Sequence, residues 1–146
     1  MATVGGIMAL LCLGGVGVFV SIYDNATKID RSEPDVVTDS FLLAYLVNRD
    51  DKSAQLFTCK NPQLAEIGAL RDQIVAREKQ FNVKVSVSWG ALTRQAVTAK
   101  QEDVTTQLTI SGSANGELGS SRNEDWRFRV IEEGGGWRLC SGAKIA

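Results

Sequence analysis

The sequence predicts an α+β protein in which a transmembrane helix is followed by a domain of three helices packed on an antiparallel sheet. Three observations predict it: an uncharged apolar stretch over residues 4–23, helical periodicity between residues 34 and 81, and a switch to period two from residue 82 onward.

All 16 basic and 17 acidic side chains lie after the apolar stretch. About 20 residues at a rise of roughly 1.5 Å span the ~30 Å hydrocarbon core of a bilayer, and a helix satisfies its own backbone groups there. A cleaved signal peptide and a lipoprotein signal are the alternatives to a permanent anchor. The anchor is favoured because nothing basic precedes the core, no A-x-A site follows it, and bulky Leu11 precedes Cys12 where a lipoprotein box needs a small residue. Gly5, Ala9 and Gly17 share a rough four-residue phase, interrupted by Leu13, which would let another helix approach closely. After the span, the acids Asp24, Asp30, Glu33, Asp35 and Asp39 face only Lys28 and Arg31. With no basic excess there, the positive-inside rule favours an extracytoplasmic side for the rest of the chain. The expected division is an anchor at 1–23, a polar linker at 24–33 and one domain at 34–146.

Within the domain, Ser32 is the expected helix cap, Pro34 the first-turn residue and Asp35 the capping-box partner. Val37, Phe41, Ala44 and Val47 continue a stripe until Asn48-Arg49-Asp50-Asp51 restores polarity. Residues 53–58 form a short second helix ending near Cys59, and Pro62 opens a third, whose apolar stripe is Leu64, Ile67, Leu70, Ile74 and Phe81. Then Val83, Val85, Val87 and Trp89 alternate with Lys84, Ser86 and Ser88, as a strand with one wet face does. Residues 92–99 are the least regular strand. Val104, Thr106, Leu108 and Ile110 form another, and Trp126, Phe128 and Val130 point one way with Arg127 and Arg129 opposite. Trp137 and Leu139 begin the last strand, reached through a Gly134-Gly135-Gly136 hairpin where glycine supplies positive φ. Residues 111–124, around Asn115-Gly116, read as a long hairpin connection or loop.

The three cysteines include one, Cys12, in the apolar stretch. The other two, Cys59 and Cys140, would in an oxidising compartment close a loop of about 80 residues and stabilise the fold by roughly 4 kcal/mol; the alternative is two buried thiols. Two distant cysteines without any histidine make no zinc site, and no metal or cofactor is expected. The net charge is −1 and spread along the chain, so neither nucleic acid nor anionic lipid headgroups find a basic cluster.

Three helices and then a sheet, closing with Trp126-x-Phe128-x-Val130, a glycine turn and Gly136-Trp137-Arg138-Leu139-Cys140, resemble the nuclear-transport-factor-2-like superfamily over residues 34–141. The pattern is most similar to the small membrane-anchored, extracytoplasmic members found in actinobacteria, in which a cysteine after the second helix and one in the last strand occur together, here Cys59 and Cys140. The resemblance implies a cone whose curved sheet wraps the helices around a pocket, with the domain outside the plasma membrane on a single-pass anchor. It also implies a non-catalytic accessory or scaffolding subunit of a larger membrane complex, of respiratory, secretion or lipid-transport type. Its partners would be the bilayer and membrane proteins met through the glycine-rich helix and the domain. The alternative is a binding module for a lipid or other apolar ligand, and a third reading is an isomerase or cyclase.

No catalytic residue is assigned. The absence of histidine removes the commonest general base and any Ser-His-Asp or Cys-His arrangement. Asp39 and Tyr45 match the carboxyl and phenol of the superfamily's isomerases but sit six positions apart on one helix, so they fall on different parts of its surface. Tyr45, Trp89, Trp126 and Trp137 are the candidate pocket lining, the alternative being that they fill the core. Arg127 and Arg129 could dock an acidic partner or simply be solvated. In protein taken from intact cells, alkylation should find Cys59 and Cys140 blocked, and reduction should lower the melting midpoint by several degrees; free thiols at both positions would reverse the orientation argument.

Overall fold

The structure, a computed structural model, describes residues 30–114 and 117–145. The expected anchor at 1–23 lies outside the described residues, among which no helix is long and apolar enough to cross a membrane. Of the expected linker, residues 30–33 lie against the domain, where Arg31 O accepts Trp137 N at 2.8 Å and Arg31 Nε donates to Leu56 O at 2.7 Å.

Helix α1 (Pro34–Leu42) has Pro34 in its first turn and Asp35 near its positive end, both favourable placements. The cap is Glu33, with no side-chain bond into the helix; Ser32, the expected cap, instead donates its hydroxyl to Asp30 Oδ1 at 2.5 Å. The stripe then loses phase. Leu43–Val47 form a π-turn, in which Asn48 N bonds Leu43 O, five residues back, at 2.9 Å. The wider turn keeps Val37, Phe41 and Ala44 buried, brings Tyr45 and Leu46 in as well, and leaves Val47, expected inside, 45% exposed.

The chain leaves this helix through Arg49 at φ 55°, a left-handed conformation that costs a non-glycine residue on the order of 1 kcal/mol. Arg49 Nη1 donates to Glu78 Oε1 at 2.6 Å, and Glu78 Oε2 accepts Val85 N at 3.0 Å, so the turn is fixed to the next helix and strand. The Arg49 guanidinium holds the Glu78 carboxyl below its ordinary range.

Helix α2 (Asp51–Gln55) starts earlier than expected because Asp50 is its cap, accepting Ser53 N at 3.3 Å and Ser53 Oγ at 2.7 Å. Strand β1 (Thr58–Gln63) occupies what read as a helix boundary, and Pro62 lies in it rather than opening helix α3 (Ala65–Phe81). Proline is tolerated there because β1 is an edge strand. In α3, Ile67, Leu70 and Ile74 are buried as expected, whereas Phe81, its last residue, is 61% exposed.

The remaining strands are β2 (Lys84–Trp89), β3 (Thr93–Thr98), β4 (Gln101–Ala114), β5 (Glu117–Glu133) and β6 (Gly136–Lys144). They form with β1 a six-stranded curved sheet in the order β1-β6-β5-β4-β2. Strand β3 shares an edge of β4 with β2, pairing Thr93↔Thr105 where β2 pairs Trp89↔Leu108. The sheet is mixed rather than purely antiparallel, because β1 runs parallel to β6, with Thr58 opposite Leu139.

Residues 111–124, expected as a long hairpin connection or loop, form the hairpin as paired strand, continuing the ladder with Ser111↔Ser121 and Gly112↔Ser120 in register. The stretch lacks apolar alternation; its strands are joined by backbone pairing and by bonds such as Thr109 Oγ1 to Asn123 Oδ1 at 2.9 Å. Gly134 and Gly135, at φ 59° and 83°, turn β5 into β6 as expected.

The core lies between the helices and the concave face: Val37, Phe41, Leu46, Ile67 and Ile74 meet Val104, Leu108, Trp126, Phe128, Val130 and Leu139, all at most 2% exposed. Cys59 and Cys140, 81 positions apart in sequence, form a disulfide with Cα atoms 5.1 Å apart that fastens β1 to β6. A structural disulfide points to an oxidising, extracytoplasmic environment.

Phe128 lies opposite Gly142 in the β5–β6 ladder. A Cβ on Gly142 would sit 2.9 Å from two ring carbons of Phe128, which is itself fully buried and has nowhere to move. Gly142→Ala should destabilise the fold by about 1–3 kcal/mol, read as a melting midpoint lowered by several degrees in calorimetry; an unchanged midpoint would show that the ring relaxes freely.

Candidate binding cleft

A cleft of about 820 Å³ opens between the π-turn, α2, β1, the start of α3 and the β5–β6 turn. Its floor is Phe41, Tyr45, Ala54 and Leu64. The re-phased helix places Tyr45 there, four residues after Phe41, with the two rings stacked at 5.0 Å between centroids and 16° between planes. The Arg71 guanidinium lies 4.1 Å from the Tyr45 ring centroid and donates to Asp51 Oδ1 at 2.6 Å, a cation held by a ring face and a carboxylate together. The Asp51 side chain is 64% exposed, so this pair adds little to stability; it fixes where Arg71 points.

Burial pushes the Tyr45 phenol above its ordinary pKa, against the opposing pull of Arg71. Gly68 permits this packing, since a Cβ there would sit 3.1 Å from the Tyr45 hydroxyl. The opposite wall carries Cys59 and Lys60 from β1 and Glu133 and Arg138 from the β5–β6 hairpin.

The candidate lining residues are dispersed. Tyr45 lines this cleft. Trp126 is buried in the core, donates its indole N–H to Glu124 Oε1 at 3.1 Å, and backs a separate groove of about 270 Å³ shared with Glu66, Gln73 and Lys144. Trp89 donates to Asp39 Oδ1 at 2.8 Å, and both Trp89 and Trp137 are partly buried against the core. Asp39 is thus engaged with β2 while Tyr45 faces Arg71, and the structure does not bring the two together. Arg129 is held by Asp103 on the neighbouring strand, Nε to Oδ1 at 2.9 Å and Nη2 to Oδ2 at 3.2 Å, whereas Arg127 is exposed.

Arg71, Asp51, Lys60 and Arg138 were not singled out by sequence reasoning. Asp51 reads there only as part of the polar turn after the first helix, Arg71 lies among the charged residues beside the apolar stripe of the third, and the other two reach the cleft through the β1–β6 pairing, for which the sequence carries no alternation signal. Among the described residues, no group of three His, Cys, Asp or Glu side chains could hold a metal ion.

No protein-family model matches the chain, and no curated protein matches it. Solved structures do. An NTF2-like protein with a cystatin-like fold from Novosphingobium aromaticivorans is 17% identical, with a TM-score of 0.59 over 90% of this chain and 88% of that one. The association domain of Caenorhabditis elegans CaMKII is 15% identical, with a TM-score of 0.55 over 75% and 90%. The CaMKII hub homology domain of Chlamydomonas reinhardtii is 10% identical, with a TM-score of 0.55 over 80% and 97%. The chain therefore has the NTF2-like, cystatin-like fold, and at these identities the likeness extends to the fold alone.

The Tyr45 environment sets a pH dependence. A phenol whose folded pKa is raised contributes stability that is present below its unfolded value of about 10 and lost as pH rises through the folded value. The native chain should therefore lose more melting temperature above pH 10 than a Tyr45→Phe variant does; equal losses would place Tyr45 in water.

Proposed function

We propose that this protein is a non-catalytic extracytoplasmic module, held at the plasma membrane by residues 1–23, that binds an apolar or amphipathic molecule in the Tyr45 cleft. The observation that carries the reading is the cleft itself: a concavity of about 820 Å³ with an aromatic and aliphatic floor, within the ~300–1,000 Å³ typical of small-molecule sites. Its floor chemistry suits holding better than reacting. Arg71 is committed to Asp51 and to the Tyr45 face, burial raises the phenol's pKa further from neutrality, and the chain has no histidine to serve as a base.

A second reading, an accessory or scaffolding subunit of a membrane complex, is favoured by the surface of the π-turn. Leu43 and Val47 are 46% and 45% exposed, and Leu56 is 42% exposed, large apolar side chains of the kind that gain free energy from being covered. That this fold also appears in proteins named association and hub domains is compatible with such a role.

One experiment separates the two. Full-length protein drawn from its native membrane in gentle detergent should show, in native mass spectrometry, a small-molecule adduct that is lost in a Gln55→Trp variant, since Gln55 is exposed on the cleft and a larger side chain there fills the space without entering the core. Stoichiometric protein subunits without an adduct would favour the accessory reading.

A further inference from the structure

The ionisable groups that line the cleft are unequally matched. Asp51 and Arg71 neutralise one another at the floor. Lys60, Arg138 and Glu133 remain on the opposite wall, and the ion pairs among the described residues include none of them. Arg31 adds a further cation beside this wall. Its Nε is taken by Leu56 O, the residue after Gln55 of the lining, and it is near enough to Arg138 for that like charge, after burial, to lower its pKa.

The wall is also built to stay in place. Lys60 lies on β1 and Arg138 on β6, parallel neighbours fastened by Cys59–Cys140, with Cys59 adjacent to Lys60 and Cys140 two residues after Arg138. Like-charged side chains that line one apolar concavity and make no ion pair to the acid lining it beside them are stabilised by an anion arriving from outside. A guanidinium and an ammonium on adjacent strands suit the oxygens of a carboxylate or phosphate.

We propose that the ligand of the cleft is an anionic amphiphile, whose carboxylate or phosphate is held at the lip by Arg138 and Lys60 while its apolar body lies on Phe41, Tyr45 and Leu64. The inference rests on the reading of the cleft as a binding site and narrows it to one charge class. Tyr45 and Arg71 then belong to the seat of the apolar body: the stacked rings supply a flat face, and the Asp51 partnership keeps Arg71 from competing for the head group.

The test uses the full-length chain in nanodiscs of zwitterionic lipid, titrated calorimetrically with 2-naphthylacetate, 2-naphthylmethyl phosphate and the neutral 2-naphthylacetamide, with empty nanodiscs as reference. The anions should bind at least about tenfold more tightly than the amide. A variant carrying Lys60→Gln and Arg138→Gln should bind them at the amide's level, with amide affinity changed by less than about twofold and a melting midpoint within a few degrees of the native one, because Lys60 is exposed, Arg138 is half-buried and neither makes an ion pair among the described residues.

Equal affinity for anions and amide, or anion binding that survives the double substitution, would overturn the inference and leave the cleft reading standing. Failure of all three probes to bind would overturn both. Repeating the naphthylacetate titration in nanodiscs containing anionic phospholipid identifies the source: competition marks a lipid head group and its absence a free anion, and either supports the charge class.

Discussion

The position of the cleft depends on a slip in helix phase. An α-helix continued regularly past Leu42 would bury the stripe that ends in Val47. The π-turn at Leu43–Val47 inserts a residue into the turn instead, so Tyr45 and Leu46 face inward and Val47 faces water. On the inward face Phe41 and Tyr45, four residues apart, stack, Arg71 covers the Tyr45 ring, and Gly68 leaves room for its hydroxyl. The left-handed exit at Arg49 belongs to the same irregularity and is fixed by Glu78, whose second oxygen holds the start of β2. π-turns are uncommon and concentrate at functional sites; this one sets both the cleft floor and the exposed apolar patch beside it.

Strand β1 is the second determinant. It is short, at the sheet edge, contains Pro62 and meets β6 in register only at Thr58 and Gln63, with an irregularity between them. Backbone pairing of that kind is weak, and it is the covalent link that keeps β1 against β6. By the chain-entropy model a bridge closing a loop of this length contributes on the order of 4 kcal/mol. Without it, one wall of the cleft and the lysine on that wall would be tied down by little else.

The helix and strand periods were legible because apolar side chains mark them. Ile67, Leu70 and Ile74 on α3, and Val104, Leu108, Trp126, Phe128 and Val130 on the sheet, are buried where the spacing places them. Three features were not legible, each for a definable reason. The π-turn has no composition signature, so Val47 was assigned to the stripe. Strand β1 reads Thr-Cys-Lys-Asn-Pro-Gln, whose pairing is dictated by its neighbour β6 and not by its own pattern. The outer ends of β4 and β5 are rich in serine, glycine and asparagine and hold together through a ladder that no hydrophobic count reveals. Of the candidate lining, Tyr45 reaches the cleft, and the cationic wall was invisible because both of its strands had to be paired before Lys60 and Arg138 could line the same cleft.

The chain's entry into the domain bears on what such a cleft could meet. The described residues begin beside Arg31, whose carbonyl is bonded by Trp137 at the β5–β6 turn and whose side chain runs to Leu56. Arg31 is thus at the same lip as Arg138. Residues 24–29 can span at most about 20 Å when extended. On the proposed anchoring, the lip therefore stands within about that distance of the bilayer surface, where an amphiphile leaving the membrane carries its charge outermost. On the proposed ligand class, a cationic wall there would draw in the charged end first, within the roughly 8 Å over which charges act at physiological salt, and the aromatic floor would then take the apolar body out of water.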